Sequence, residues 1–126
     1  MRAQAKARTV ALLGEDAVAK LENARVAVVG LGGVGGHVLE TLARAGVGSF
    51  ILIDGDLVDE SNLNRQIIAT TDTVGTPKAE AAKQRVFSIN PLADVTAMQA
   101  RFTESSAESL LTGDIDYIAD CIGSLP

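Results

Sequence analysis

Short runs of consecutive apolar residues alternate along this chain with longer segments in which apolar residues recur every three or four positions. The short runs predict buried parallel strands, and the periodic segments predict amphipathic helices. We predict strands at 25–30, 50–53, 93–98 and 117–122. We predict helices at 10–23, 34–45, 77–89 and 105–111, with a turn or helix restart at 14–16. This alternation predicts an α/β fold with a mostly parallel, Rossmann-like sheet and helices on both faces.

The third of these helices has clear start and stop signals. Thr76 is a candidate N-cap, Pro77 suits the first helical position, and Asn90-Pro91 ends the segment. Lys78 then falls in the first turn, where the helix macrodipole disfavours a cation by roughly 0.3–1 kcal/mol. An anionic neighbour would explain this lysine, although an exposed lysine also tolerates such a small cost.

Length and composition restrict the class of protein. The 126 residues, 47% of them apolar, predict one nucleotide-binding domain over 1–126. The longest uncharged run, 26–39, is interrupted by glycines, and the first 14 residues lack the apolar core of a signal peptide. We therefore expect a cytoplasmic protein with no membrane partner. Cys121 and His37 are the only cysteine and histidine, which excludes an internal disulfide and a zinc site built from these residue types.

The net charge of −5 is unevenly distributed. Up to Arg101 the chain has eleven basic and eleven acidic residues, and five further acidic residues follow. Because phosphate neutralisation needs clustered Lys and Arg, this balance argues against a DNA-binding clamp. A nucleic-acid substrate held by a local patch remains compatible with it.

A glycine-rich segment joins the first strand to the second helix. Its sequence, GLGGVG, fits the G-x-G-x-x-G pattern with Gly30, Gly32, Gly33 and Gly35. Glycines at these positions allow a tight turn and a close approach of backbone N–H groups to a phosphate, and the helix N-terminus adds positive potential. The pattern by itself fits either a dinucleotide or ATP.

Polar residues follow the second strand. Asp54 stands where a Rossmann fold places its ribose-binding acid, and Asp56 comes two residues later. A dense polar segment, SNLNRQ at 61–66, comes next and contains the candidate residues Asn62, Asn64 and Arg65. A solvated turn would account for this segment alone, but its position at the carboxyl edge of the sheet favours a binding role.

Together these motifs resemble the ThiF/MoeB/HesA family of adenylating enzymes, the bacterial relatives of ubiquitin-activating enzymes. The similarity rests on GLGGVG at 30–35, LIDGD at 52–56, SNLNRQ at 61–66 and VGTPKAE at 74–80, which occur in the family's order and spacing. It covers nearly the whole chain and corresponds to the N-terminal half of the family's domain. Within the family, Val34, Asn64 and Arg8-Thr9 make the chain most similar to the tRNA threonylcarbamoyladenosine dehydratases.

The resemblance implies ATP-dependent adenylation of a carboxylate, with Mg²⁺ assisting. It assigns the ribose to Asp54 and the phosphates to Gly32, Gly33, Asn62, Arg65 and Lys78. Arg8, Arg65 and Lys78 would stabilise the transition state, with Arg8 reaching the partner subunit's site in a homodimer. The acceptor would be a modified adenosine in tRNA or, as in MoeB and ThiF, the C-terminal glycine of a sulfur-carrier protein.

Two alternative hypotheses about the function remain. A non-catalytic, dimerising Rossmann module would fit the replacement of the second aspartate of the family's Asp-x-x-Asp by Gly123. An NAD-dependent oxidoreductase would fit the glycine pattern and Asp54, but it has no use for SNLNRQ or Lys78.

Overall fold

The computed structural model describes residues 1–122, and within them the chain alternates helices with parallel strands. The helices are α1 Ala3–Leu13, α2 Glu15–Asn23, α3 Gly33–Ala45, α4 Lys78–Ile89 and α5 Ala107–Leu110, with a short 3₁₀ helix at Glu60–Asn62. The strands are β1 Arg25–Val29, β2 Ser49–Ile53, β3 Asp94–Met98 and β4 Tyr117–Asp120. This element order confirms the predicted α/β, Rossmann-like fold.

The four strands form one parallel sheet in the order β3-β2-β1-β4. Val29 at the end of β1 pairs with Ile53 of β2 on one side and with Asp120 of β4 on the other. All strands therefore end at the same edge of the sheet. The chain reverses its winding direction between β1 and β4, and this switch point is where open α/β sheets bind their ligands.

Alternate residues of the two central strands supply two hydrophobic cores. Val26 and Val28 of β1, with Phe50 and Leu52 of β2, pack against α3 and α4. The intervening residues face the opposite side, where Met98, Phe102, Leu110, Leu111 and Ile115 cover them. Because successive side chains of a strand point to opposite faces, an uninterrupted apolar strand such as β2 is buried on both sides.

Some predicted boundaries were wrong by a few residues. The N-terminal helix begins at Ala3 rather than at residue 10, and Gly14, with a φ of +89°, separates it from α2. Helix α4 begins at Lys78, so Pro77 occupies the N-cap position that we predicted for Thr76. Strand β4 ends at Asp120, which leaves Cys121 just beyond it. Gly123 lies outside the described residues.

Within residues 1–122, none of the helices is long and apolar enough to cross a membrane.

Candidate active site

The glycine loop connects β1 to α3 at the sheet's switch point, and two of its glycines are required by backbone packing. Gly30 has a φ of +88°, and a Cβ there would lie 2.7 Å from the carbonyl oxygen of Cys121. A Cβ on Gly35 would lie 1.7 Å from the carbonyl oxygen of Gly30. Gly35 therefore lets α3 approach the end of β1. It is not among the residues that line the cleft, and its contact with a ligand stays a prediction.

Gly32 and Gly33 are less tightly packed, and only Gly33 faces open space. Gly32 is the N-cap of α3 and has no side chain with which to cap it, and a Cβ on Gly33 would meet nothing within 4 Å. The first helical hydrogen bond runs from Gly36 N–H to the oxygen of Gly32. The N–H groups of the preceding residues point beyond the helix end, as an anion-binding helix N-terminus requires.

Asp54 fastens this loop to the end of β2. Its Oδ2 accepts a hydrogen bond of 2.8 Å from the N–H of Leu31, and its Oδ1 accepts one of 2.8 Å from the N–H of Asp56. Each carboxylate oxygen has a second lone pair, so both remain able to accept from a ribose hydroxyl. The predicted ribose-binding acid is thus held in a fixed orientation beside the glycine loop.

Lys78 enters the same site from α4. It is only 8% exposed, and its backbone N–H donates to the carbonyl oxygen of Asp56 at 2.9 Å. Its ammonium group makes no ion pair or hydrogen bond with the residues that the structure describes. A cation in the first turn of a helix is unfavourable, and the charge of Lys78 acts on Asp59 without forming an ion pair, which leaves the ammonium group available to an anionic ligand in front of it.

These groups meet in one cleft of about 1210 Å³ at the carboxyl edge of the sheet. The cleft brings together Gly30, Gly32, Gly33, Asp54, Asp56 and Lys78 from the predicted set. Residues 99–104 after β3 also line the cleft, as does Cys121. The 99–104 segment was not predicted, because it carries no recognisable motif and is assembled only when the strands align. Its one sequence signal was its position after a predicted strand.

The polar segment after Asp56 forms a rigid turn beside the cleft. Asp59 Oδ2 accepts from the N–H of Ser61, and the N–H of Asp59 donates to Asn62 Oδ1 at 2.8 Å, which makes a capping box around the 3₁₀ helix. Arg65 Nη1 donates to the oxygen of Ser61 at 3.0 Å and to Asn64 Oδ1 at 2.9 Å. Asn62, Asn64 and Arg65 are not among the residues that line the cleft, and their contacts with a ligand stay predictions.

Arg8 lies farther away. It is exposed on α1, a helix with no buried residues that packs mainly against α2. Arg8 is not among the residues lining the cleft of its own chain. Its assignment to a partner subunit's site stays a prediction.

Two titratable groups near the cleft have shifted pKa values. Hydrogen bonds from the hydroxyl and N–H of Ser61, with a smaller contribution from the charge of Lys78, lower the pKa of Asp59. Burial, together with the negative charge of Asp120, raises the pKa of the Cys121 thiol. Because the thiolate is the reactive form, Cys121 has the character of a packing residue rather than a nucleophile.

The residues present fit a nucleotide, and they leave room for its Mg²⁺. No group of three or more His, Cys, Asp or Glu that could hold a metal occurs in the described part of the chain. Mg²⁺ bound with nucleotide phosphates needs only one or two protein carboxylates and keeps several waters. Asp56 is the candidate, since it lines the cleft and its carboxylate makes no hydrogen bond with the described residues.

A parallel sheet with a glycine-rich turn, a carboxylate after the second strand and a lysine across the cleft is the arrangement of a Rossmann-like fold. The sequence matches the ThiF family over residues 4–126, so the chain belongs to the ThiF family. The resemblance found in the motifs is thereby confirmed.

Several other proteins are similar to this chain. The tRNA threonylcarbamoyladenosine dehydratase of Bacillus subtilis is 43% identical over 86% of this chain and 42% of its own length. The probable adenylyltransferase/sulfurtransferase MoeZ of Mycobacterium tuberculosis is 46% identical over 86% of this chain and 27% of its own length. The crystal structure of Escherichia coli tRNA N6-threonylcarbamoyladenosine dehydratase in complex with ATP superimposes with a TM-score of 0.93 and 39% identity. It covers 97% of this chain and 50% of that one. The chain thus spans half or less of the length of the dehydratases that it matches.

Proposed function

We propose that this chain is the nucleotide-binding portion of an ATP-dependent enzyme that adenylates a carboxylate. The observation that carries the proposal is the juxtaposition, in one cleft, of the Lys78 ammonium with the unbonded N–H groups at the start of α3. Phosphate oxygens satisfy both kinds of donor at once. Asp54 would bind the ribose hydroxyls, and the segment at 99–104 would lie against the base.

The proposed reaction needs positioning and charge neutralisation rather than a covalent enzyme intermediate. A substrate carboxylate oxygen bonds to the α-phosphorus, the bond from that phosphorus to the bridging oxygen breaks, and pyrophosphate leaves. Lys78 would balance the negative charge that develops on the phosphates, and Arg65 would join it after releasing Ser61 or Asn64. Mg²⁺, when bound, would add charge neutralisation on the phosphates.

For the acceptor, we propose the threonylcarbamoyl group of the modified adenosine in tRNA. The acyl-adenylate would then cyclise and release AMP, which amounts to loss of water from the substrate. The ATP-bound dehydratase structure and the B. subtilis relative support this assignment. The 46% identity to MoeZ favours a second candidate, the C-terminal carboxylate of a sulfur-carrier protein.

As the family resemblance implies, we propose a homodimer in which Arg8 reaches the partner subunit's site. The exposure of Leu12 (83%) and Leu13 (52%) beside it supports an association surface on α1. A non-catalytic dimer remains the alternative, and sedimentation of a stable dimer that binds no ATP would favour it.

Equilibrium titration of the chain with ATP and with NAD tests the nucleotide assignment. We expect ATP to bind and Asp54→Asn to weaken binding about tenfold or more, since the charge-assisted hydrogen bond to the ribose contributes roughly 1.5 kcal/mol or more and the amide cannot accept from both the Leu31 and the Asp56 N–H groups. Preference for NAD would contradict the proposal. ATP–pyrophosphate exchange in the presence of either modified tRNA or a sulfur carrier then distinguishes the two acceptors.

A further inference from the structure

One buried amide near the cleft has no role in the fold as described. Gln66, the last residue of the SNLNRQ segment, is 7% exposed, and its Oε1 is buried without a hydrogen-bond partner among the described residues. Its Nε2 lies 3.7 Å from the point where a Cβ on Gly32 would stand. The amide therefore rests against the N-cap of α3.

The backbone around Gln66 does not depend on this side chain. The N–H of Gln66 donates to the oxygen of Asn62 at 2.9 Å, and the oxygen of Gln66 accepts from the N–H of Ala69 at 3.0 Å. The turn is thus closed by main-chain bonds and by the Asn62 capping box. A buried acceptor without a donor lowers stability by an amount comparable to a lost hydrogen bond, so an apolar side chain of similar shape would suit the fold better.

The location of the amide suggests what it does instead. On one side lies the turn that holds Arg65, and on the other lies the glycine loop with its outward N–H groups. The same two segments also approach each other one turn later, where a Cβ on Gly36 would lie 3.9 Å from the backbone nitrogen of Ile67. Gln66 is the polar side chain at the junction of the two parts of the proposed phosphate site.

We propose that Gln66 is a positioning residue of the nucleotide site. Its amide sets Gly32 against the 61–66 turn, and its unpaired Oε1 acquires a donor in the nucleotide-bound state. Gln66 acts through the glycine loop, because it is not among the residues that line the cleft. This inference rests on the proposed function, since it presumes that the cleft binds ATP.

The test is the substitution Gln66→Met, which keeps the length of the side chain and removes the amide. We measure the urea-induced unfolding of the 126-residue chain and its ATP affinity by calorimetric titration. We expect the unfolding midpoint to stay equal or rise, and the dissociation constant for ATP to increase about tenfold, the factor that corresponds to 1.4 kcal/mol. A residue with a purely structural role would move stability and affinity down together.

The matched control is Gln84→Met, the same substitution at an exposed position of α4 away from the cleft, which should change neither quantity. If Gln66→Met binds ATP as tightly as the unmodified chain, the positioning role is refuted while the nucleotide site stands. Loss of cooperative unfolding in Gln66→Met would also refute it, because the fold would then need the amide. If the unmodified chain binds no ATP, the proposed function fails, and this inference fails with it.

Discussion

Replacing Lys78 by methionine tests the central electrostatic argument of the site. The substitution keeps most of the side-chain volume and removes the ammonium group, which makes no ion pair or hydrogen bond with the described residues. Because the macrodipole disfavours a cation in the first turn of a helix by roughly 0.3–1 kcal/mol, we expect Lys78→Met to leave the free energy of unfolding unchanged or to raise it by up to about 1 kcal/mol.

The effect on nucleotide binding should have the opposite sign. A hydrogen bond between charged partners contributes about 1.5–3 kcal/mol, and each 1.4 kcal/mol is a factor of ten in affinity. We therefore expect Lys78→Met to weaken ATP binding about 10- to 150-fold. Calorimetric titration measures this loss, and urea unfolding on the same preparation measures stability.

Lys83→Met is the matched control on the same helix. Lys83 lies outside the cleft, with its ammonium 5.9 Å from the ring centre of Phe87, so its removal should leave ATP affinity unchanged. Wild-type ATP affinity in Lys78→Met would refute the phosphate role. A loss of stability of about 2 kcal/mol or more would show instead that the lysine stabilises the fold itself.

Two further predictions concern the fold and its pH dependence. Gly35→Ala, whose Cβ would collide with the Gly30 carbonyl, should destabilise the protein by about 3 kcal/mol or more. Gly33→Ala should keep the fold and weaken only ATP binding. Equal unfolding midpoints for the two variants would contradict this division of roles. Glu40 accepts hydrogen bonds of 2.8 and 2.7 Å from the Arg85 guanidinium, and these bonds lower the pKa of the Glu40 carboxyl below its unfolded value. The pair therefore stabilises the fold above pH 4.5, and this contribution is lost as the pH falls through the folded pKa. Since Arg85 is partly exposed, we expect the ion pair to contribute about 1 kcal/mol to the free energy of unfolding. Glu40→Gln should therefore lose less stability between pH 6 and 3 than the unmodified chain does. The same pH profile of stability in both proteins would contradict this prediction.

The two central strands, β1 and β2, were predictable from the sequence because they are buried on both faces and read as apolar runs, whereas β3 and β4 are more exposed. Helix α1 was mostly missed for the converse reason: none of its residues is buried, so its first half carries no apolar periodicity. The start of α4 was placed one residue early because Thr76 and Pro77 both fit helix-start statistics. The antiparallel bridge between Leu57 and Pro77 instead keeps these residues extended until Lys78.

The site was predictable where a motif follows a strand and not where separate segments converge. Asp54 and Lys78 both line the cleft, and the sequence could indicate this because each stands next to an element boundary that it shows. The packing role of Gly35 depends on the distance between two backbones, which a glycine pattern cannot distinguish from ligand contact. The burial of Gln66 depends on the approach of the 61–66 turn to α3, and no local pattern records that approach.

Helix α1 has a consequence for local unfolding. A helix without buried residues, joined to its neighbour by the Lys6 and Glu22 pair and little apolar contact, can open while the sheet stays intact. Its backbone amides should therefore exchange with solvent deuterium far faster than those of β1 and β2. If α1 becomes covered in an assembly of this protein, the backbone amides of Leu12 and Leu13 should exchange more slowly than in the unassembled protein. This change would report the assembly separately from the stability of the fold.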